Sequence, residues 1–431
     1  MMINCDVLIV GSGVAGLYAA LNLRRDLNVI LVSKTTLKES NTYLAQGGIS
    51  TAKDEEDIES FIEDTLRAGN YKNNLEAVKV LAKESMENIK RLIDFGVEFD
   101  NIDGRLLFTK EGAHSTNRIV HVKDWTGKAV AKTLIKNILK RKNIKVYENT
   151  KLIDLIAEDN KCLGGIFIRD GKRIDVHSKV TILATGGIGG LFKNSTNQRI
   201  LTGDGLSVAI RHGVKIKDIE FIQFHPTALY EEKDERRFLI SESLRGEGAV
   251  LLNHKGERFV DELLPRDEVS LRILEEIKRS KKPYVLLSAR HLNSSYLRDR
   301  FPNIYSECLK RGIDITKDLV PVAPAQHYFM GGIEVDLFSK TSMDNLYAVG
   351  EVSCTGVHGE NRLASNSLLE GLVFSRRAAQ DINKNIDGIR QLKTCKNSLI
   401  NIDEIERENK RLVIKELKKK RWDLKNEFID D

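Results

Sequence analysis

The chain has little of several things that would announce a function at once. Its five cysteines, Cys5, Cys162, Cys308, Cys354 and Cys395, are scattered without a Cys-x-x-Cys pair. That excludes a zinc knuckle or a disulfide framework, leaves no metal site expected, and fits a reducing cytoplasm. Charge of one sign is not in excess: 68 basic against 62 acidic residues leave a formal net charge of +6, so nucleic-acid binding is not indicated. Long hydrophobic runs are missing too. The longest uncharged stretch, Val7 to Leu23, is 17 residues and holds three glycines, short of the ~20 apolar residues of a membrane span. Met1 to Asp6 carries no Lys or Arg to open a signal peptide. What is there is 431 residues, 41% hydrophobic and 30% charged, a globular balance with material for two or three domains.

Cys5 to Val10 reads as a buried strand, Gly11-Ser12-Gly13-Val14-Ala15-Gly16 as a turn, Leu17 to Leu23 as an apolar helix and Asn28 to Val32 as a second strand. This order within about 30 residues is the context of a dinucleotide site and predicts a parallel sheet. Leu75 to Phe95, preceded by Asn73 and Asn74, has helical spacing at Val78, Leu81, Ala82, Met86, Ile89, Leu92 and Ile93. Val146 to Ile156, Cys162 to Arg169 and Arg173 to His177 alternate like antiparallel strands around an Asp170-Gly171 turn. Val180 to Ala184 and Leu346 to Val349 read as further buried strands, and Ser367 to Asn385 as an amphipathic helix. Between about Ile219 and Gln326 short strands mix with charged helical stretches such as Asp267 to Arg279, as in an inserted second domain. The tail from Asn401 runs acidic and then basic, and Lys418 to Arg421 reads as a solvated helix face.

In the first turn Gly11 permits the bend, Gly13 lets backbone approach a pyrophosphate, and Gly16 lets helix and strand pack closely, with helix amides turned to the phosphates. The acidic residue that would hold ribose hydroxyls after the second strand is missing, since Ser33-Lys34 stands there. That weakens a nicotinamide reading. FAD suits the chain better, because Asn41-Thr42-Tyr43-Leu44-Ala45-Gln46-Gly47-Gly48, Ala184-Thr185 and the carboxylate of Glu351 could together hold one extended ligand across several strand ends. Lys34, Asp204, Ser367 and Leu368 complete the cofactor candidates.

The segments Ser40 to Gly48, Gln223 to Leu229, Glu242 to Ala249, His327 to Gly332 and Gly350 to Glu370 resemble the fumarate reductase and succinate dehydrogenase flavoprotein superfamily. The likeness runs from about Cys5 to Asn385. Glu351 to Gly359 and Asn361 to Glu370 are similar to the branch of that superfamily that oxidises L-aspartate. The resemblance implies an α/β fold, α+β overall: a Rossmann-like FAD-binding domain with a parallel central sheet at 1–218 and 329–390, an inserted α+β capping domain at 219–328, and a short C-terminal helical tail at 391–431. Two departures stand out. Glu360 replaces the family's usual alanine, expected beside the site rather than in it, and the C-terminal region is much shorter than the family's helical domain.

The chemistry implied is hydride transfer between flavin N5 and a four-carbon dicarboxylate. His225 and His327 are carried over as donors to substrate carboxylates, Arg362 as a bidentate carboxylate fork, and Arg266 as the group beside the reacting carbon. An arginine is an awkward general base with a pKa above ~12, so either Arg266 or a neighbour handles the proton. Glu111 stands where the aspartate-oxidising branch carries a partner for the ammonium, with Glu242 as the second acidic candidate. The covalent members carry a histidine before Ala-Gln-Gly-Gly; here Asn41 implies FAD held noncovalently. The expectation is thus oxidation of L-aspartate to iminoaspartate, the first step of quinolinate and NAD synthesis, with oxygen or fumarate as electron acceptor and quinolinate synthase as a partner. The alternatives are a soluble fumarate reductase or succinate dehydrogenase flavoprotein subunit, and a catalytically silent flavin-binding module.

Overall fold

A computed structural model describes residues 2–232, 236–391, 402–424 and 427–429; Cys395 and Asn401 lie outside them. Its centre is a seven-stranded sheet. Four parallel strands, Ile144–Tyr147, Val29–Val32, Met2–Val10 and Lys172–Leu183, lie side by side in that order, followed by antiparallel Lys161–Arg169 and Thr150–Glu158. Leu346–Ala348 joins the end of Lys172–Leu183 in parallel.

Two expectations about these strands are corrected. Val146 to Ile156 is not one strand: the chain breaks at Asn149, which has φ +52°, and splits into Ile144–Tyr147 and Thr150–Glu158. Conversely, Arg173 to His177 and Val180 to Leu183 are parts of the single strand Lys172–Leu183, which ends one residue before Ala184. Its first half pairs antiparallel with Lys161–Arg169 and its last three residues pair parallel with Leu346–Ala348. The change of partner along one edge changes the pattern of side-chain burial, which from sequence looks like an interruption.

Helices cover both faces because the strand residues alternate. Val7, Ile9, Val29, Leu31, Val180 and Ile182 pack with the helices Val14–Asn22, Leu75–Asp94, Thr126–Lys140 and Asn366–Asn385. Leu8, Val10, Ile30, Val32 and Leu183 pack on the opposite face, with Leu206 and Val208 and with Val413 and Leu417 of the tail helix Ile402–Lys420. The tail therefore completes the main core. Helix Leu75–Asp94 starts where Asn74 Oδ1 accepts from the amides of Glu76 and Ala77, an N-cap worth about 1 kcal/mol. Its face Val78, Leu81, Ile89 and Leu92 is fully buried, at roughly 1.5 to 3 kcal/mol per large side chain.

A second core belongs to the middle of the chain. Ile222–Leu229, Val320–Phe329, Val285–Ser288 and Val250–Leu252 form an antiparallel sheet in that order, whose Leu229, Leu251, Val285, Leu287 and Val322 pack with Leu244, Val269, Ile273 and Ile304 of its own helices. No helix among the described residues is long and apolar enough to cross a membrane. Nor do they hold a cluster of three or more His, Cys, Asp or Glu able to take a metal ion.

Candidate active site

Register puts the cofactor candidates together. Val10 is the partner of both Val32 and Leu183, and Leu183 of Ala348, so four parallel strands end at one level. The residues just beyond them, Gly11 to Ala15, Ser33-Lys34, Ala184-Thr185 and Val349 to Glu351, line one cavity of about 480 Å³ with Asn41 to Gly48, Asp204, Ser367 and Leu368. A crevice outside the carboxyl ends of parallel strands is where this architecture binds ligands. Gly16 is the one cofactor candidate that does not line it.

Gly16 acts through packing instead. A Cβ there would stand 2.0 Å from the carbonyl oxygen of Gly11, and one on Gly11, at φ +119°, would stand 2.0 Å from that of Ala184. The turn closes because both lack side chains. At Gly13 a Cβ would meet nothing nearer than Thr42 Oγ1 at 3.4 Å, so that face is open to a ligand. In the helix that follows, Val14–Asn22, the N-cap residue Gly13 offers no side chain and the first turn holds no acidic residue; Thr42 Oγ1 accepts from the Val14 amide at 2.9 Å. No carboxylate of the helix itself neutralises its positive end, which fits a dinucleotide's pyrophosphate.

The rest of this half also fits FAD. Lys34 Nζ lies 2.9 Å from Asp204 Oδ2 and donates to the Ile200 carbonyl and Thr202 Oγ1, so these two candidates balance each other's charge at the cavity wall. Glu351 accepts from the Phe329 amide at 3.1 Å. Burial pushes its carboxyl up to about 7, a group suited to hydroxyl donors that would keep it ionised. Asn41 donates to Asn197 Oδ1 and accepts from the Gln198 amide; the amide is tied to that turn and has no nucleophilic nitrogen to offer a flavin.

The six substrate-end candidates, Glu111, His225, Glu242, Arg266, His327 and Arg362, line the same cavity. They arrive from separate stretches. His225 and His327 come from the neighbouring strands Ile222–Leu229 and Val320–Phe329 and stack edge to face with ring centres 5.0 Å apart. Burial first, and then the nearby Arg266, hold both imidazoles well below the usual histidine range, so both are neutral. The Thr227 amide donates to His225 Nδ1 at 3.2 Å. This fixes the proton on Nε2, which is buried without a partner and is therefore a donor for a ligand. Thr196 Oγ1 lies 2.7 Å from His327 Nδ1.

Arg266 opens helix Arg266–Ser280. Its Nε donates to Glu242 Oε2 at 2.5 Å and its Nη1 to Gln223 Oε1 at 3.0 Å. Burial raises the Glu242 carboxyl, but Arg266 and Arg245 outweigh it and hold the group below the usual range. Gln223 is itself fixed by donating to Asn361 Oδ1 and the Arg362 carbonyl. Arg362 lies over the Tyr328 ring at 4.4 Å and donates from Nη1 to Ser367 Oγ at 3.1 Å. Its buried Nε has no partner. Burial, followed by Arg266, lowers Arg362 to about 10, still a cation at neutral pH. Glu111, 3% exposed, accepts from Ser243 Oγ at 2.7 Å and from Ser365 Oγ. Glu360 is exposed, with Asn70 as its neighbour, beside the site as expected.

Several contributors were not among the sequence candidates. Gln223, Tyr328 and Ser365 sit inside the motifs that carried the resemblance, where their neighbours drew the assignment. Thr196 and Asn197 lie in an irregular stretch with no motif; only the fold brings them to His327 and Asn41. Arg245 is buried with Nη2 3.5 Å from Glu242 Oε2, so the Glu242 carboxylate lies against two guanidiniums, Arg245 and Arg266.

Residues 6–368 match a family model described as FAD binding domain. The L-aspartate oxidase of Clostridium perfringens (strain 13 / Type A) is 57% identical to this chain over 428 residues, covering 98% of this chain and 97% of that protein. That of Clostridium acetobutylicum is 54% identical over 433 residues and the full length of both. Among solved structures, an E. coli quinol fumarate reductase chain superposes with a TM-score of 0.85 at 29% identity, covering 96% of this chain and 74% of that one. A Mycobacterium smegmatis Sdh1 chain superposes with a TM-score of 0.80 at 34% identity, covering 92% and 71%.

Proposed function

The chain belongs to the FAD binding domain family and, within it, to the L-aspartate oxidases, and from that premise we propose how its residues divide the oxidation of L-aspartate to iminoaspartate. FAD is the cofactor and supplies, when bound, the acceptor for the hydride leaving Cα. Residues 1–218 and 329–390 form the cofactor half, 219–328 the cap over the substrate, and 391–431 a tail. With asparagine at position 41, FAD is held without a covalent bond.

The observation that carries this reading is one cavity lined by the guanidiniums of Arg266 and Arg362, the neutral His225 and His327, and the carboxylates of Glu111 and Glu242. Arg362, with an unpartnered Nε, takes one substrate carboxylate as a fork. His225 and His327 donate to the other. Glu111 faces the ammonium, which succinate lacks. Oxidation removes a hydride from Cα and one proton from the ammonium, leaving C=N. Arg266 stands beside the reacting carbon, and Glu242, bonded to its Nε, is the buried carboxylate through which that proton is relayed. Oxygen or fumarate then takes the electrons. The product imine feeds quinolinate and NAD synthesis in the cytoplasm, with quinolinate synthase as the consuming partner. Anaerobic mixing tests this: L-aspartate should bleach the flavin absorbance, and bleaching by succinate alone would overturn it.

A further inference from the structure

Glu111 lies in an irregular stretch between the short strands Phe108–Thr109 and Ile119–Val120. Arg118, fully buried between Asp57 and Asp64, anchors one end of that stretch, yet the Glu111 carboxylate itself is fixed by two hydroxyls from distant segments of the chain. Ser243 Oγ, on the cap helix Glu242–Gly246, donates to Oε1 at 2.7 Å. Ser365 Oγ, from the residue before helix Asn366–Asn385, donates to Oε2. One hydroxyl on each oxygen leaves each a further acceptor site.

Glycines let the segments around this pair approach closely. A Cβ on Gly246 would stand 2.8 Å from the Lys110 carbonyl oxygen, one on Gly112 2.5 Å from Glu242 Oε1, and one on Gly47 2.6 Å from Glu111 Oε1. The cap helix and the 110–112 segment are thus locked together through missing side chains. Ser243 is not needed as the helix cap, since Ser241 Oγ already accepts from the Ser243 amide.

We propose that Ser243 is a specificity-determining positioning residue: its hydroxyl, delivered by the cap, aims the Glu111 carboxylate at the substrate ammonium, so that amine recognition is assembled from both halves of the molecule. This rests on Glu111 as the partner of the ammonium. A dicarboxylate without an amine gains nothing from that orientation.

The test uses flavin-loaded protein with Ser243→Ala, Ser243→Thr, Glu111→Gln and the alanine–glutamine double variant. L-Aspartate oxidation and fumarate reduction by the reduced enzyme are both measured. Losing a hydrogen bond to a charged group should raise KM for L-aspartate about tenfold in Ser243→Ala, with kcat and the KM for fumarate much less affected. Ser243→Thr, which keeps a hydroxyl, should recover most of the loss. The double variant should be no worse than Glu111→Gln alone, because the serine acts through the carboxylate. Equal losses in both reactions for Ser243→Ala, no loss for L-aspartate, or additive losses in the double variant would overturn the serine's role. If Glu111→Gln itself damages both reactions equally, the reading of Glu111 fails and the proposal with it; a selective Glu111→Gln beside an indifferent Ser243→Ala removes the serine alone.

Discussion

The two ends of the one cavity are built on opposite principles. At the strand ends the cavity wall is made of backbone: Gly11, Gly13 and the start of the helix after them, which carries no acidic side chain in its first turn. At the other end it is made of buried side-chain charge, with Arg266, Arg362, Arg245, Glu242 and Glu111 all under about a tenth exposed. A backbone site depends on shape and fails when atoms are added. A charged site depends on balance and fails when one partner is removed, because the remaining ion is left in a medium that solvates it poorly. Substitutions should therefore break the two ends in different ways.

The largest effect is expected at the shape-built end. Gly16→Ala pushes a methyl against the Gly11 carbonyl, a backbone collision costing about 3 kcal/mol or more. The purified variant should carry almost no FAD. Normal flavin content would show that the turn has slack that the contacts deny.

Next comes removal of a charge. Arg266→Leu leaves Glu242 without its closest partner, a loss of about 3 to 5 kcal/mol for a buried pair, and both L-aspartate oxidation and fumarate reduction should fall by at least ~100-fold. Retained fumarate reduction would separate Arg266 from the reacting carbon. Arg362→Lys keeps the charge but loses the planar fork, and turnover measurements should show at least a roughly tenfold drop, about 1.4 kcal/mol. Near-normal turnover would remove Arg362 from the site.

The smallest effect is on stability against pH. His225 and His327 are neutral in the fold with lowered pKa values, whereas in the unfolded chain they titrate near ~6.5. The unfolded state therefore binds more protons as pH falls, and stability is fully present above ~6.5 and declines below it. Unfolding free energies from urea titrations at pH 7 and 5.5 should differ by roughly 1 kcal/mol per histidine. Replacing both histidines with glutamine should flatten that slope; an unchanged slope would mean that they do not titrate differently on unfolding.

The same contrast explains what could be read from the sequence. The glycine turn, its flanking strands and helix Leu75–Asp94 are encoded by local spacing and caps. Helices Asp57–Ala68 and Thr126–Lys140 were not among the expected elements, although Phe61, Ile62 and Thr65, and Val130, Leu134, Ile135 and Ile138, have the spacing and are buried. Lys172–Leu183 reads as two strands because one strand serves two sets of partners. At the charged end the candidates lay in motifs, but their supports did not. Thr196 reaches His327 from 131 residues away, and Ser243 reaches Glu111 from 132, distances at which sequence spacing carries no information about contact.

The central claim is that Glu111 distinguishes an amino dicarboxylate from a plain one within machinery common to both. The most direct measurement is the rate of anaerobic flavin bleaching by L-aspartate set against the rate of reoxidation of the reduced flavin by fumarate, in the wild-type protein and in Glu111→Gln at matched flavin content. Losing a buried partner of an ammonium costs about 2 to 5 kcal/mol, so the glutamine variant should shift the ratio of the two rates by more than tenfold, through the L-aspartate arm. Both rates falling together, with the ratio unchanged, would contradict the account.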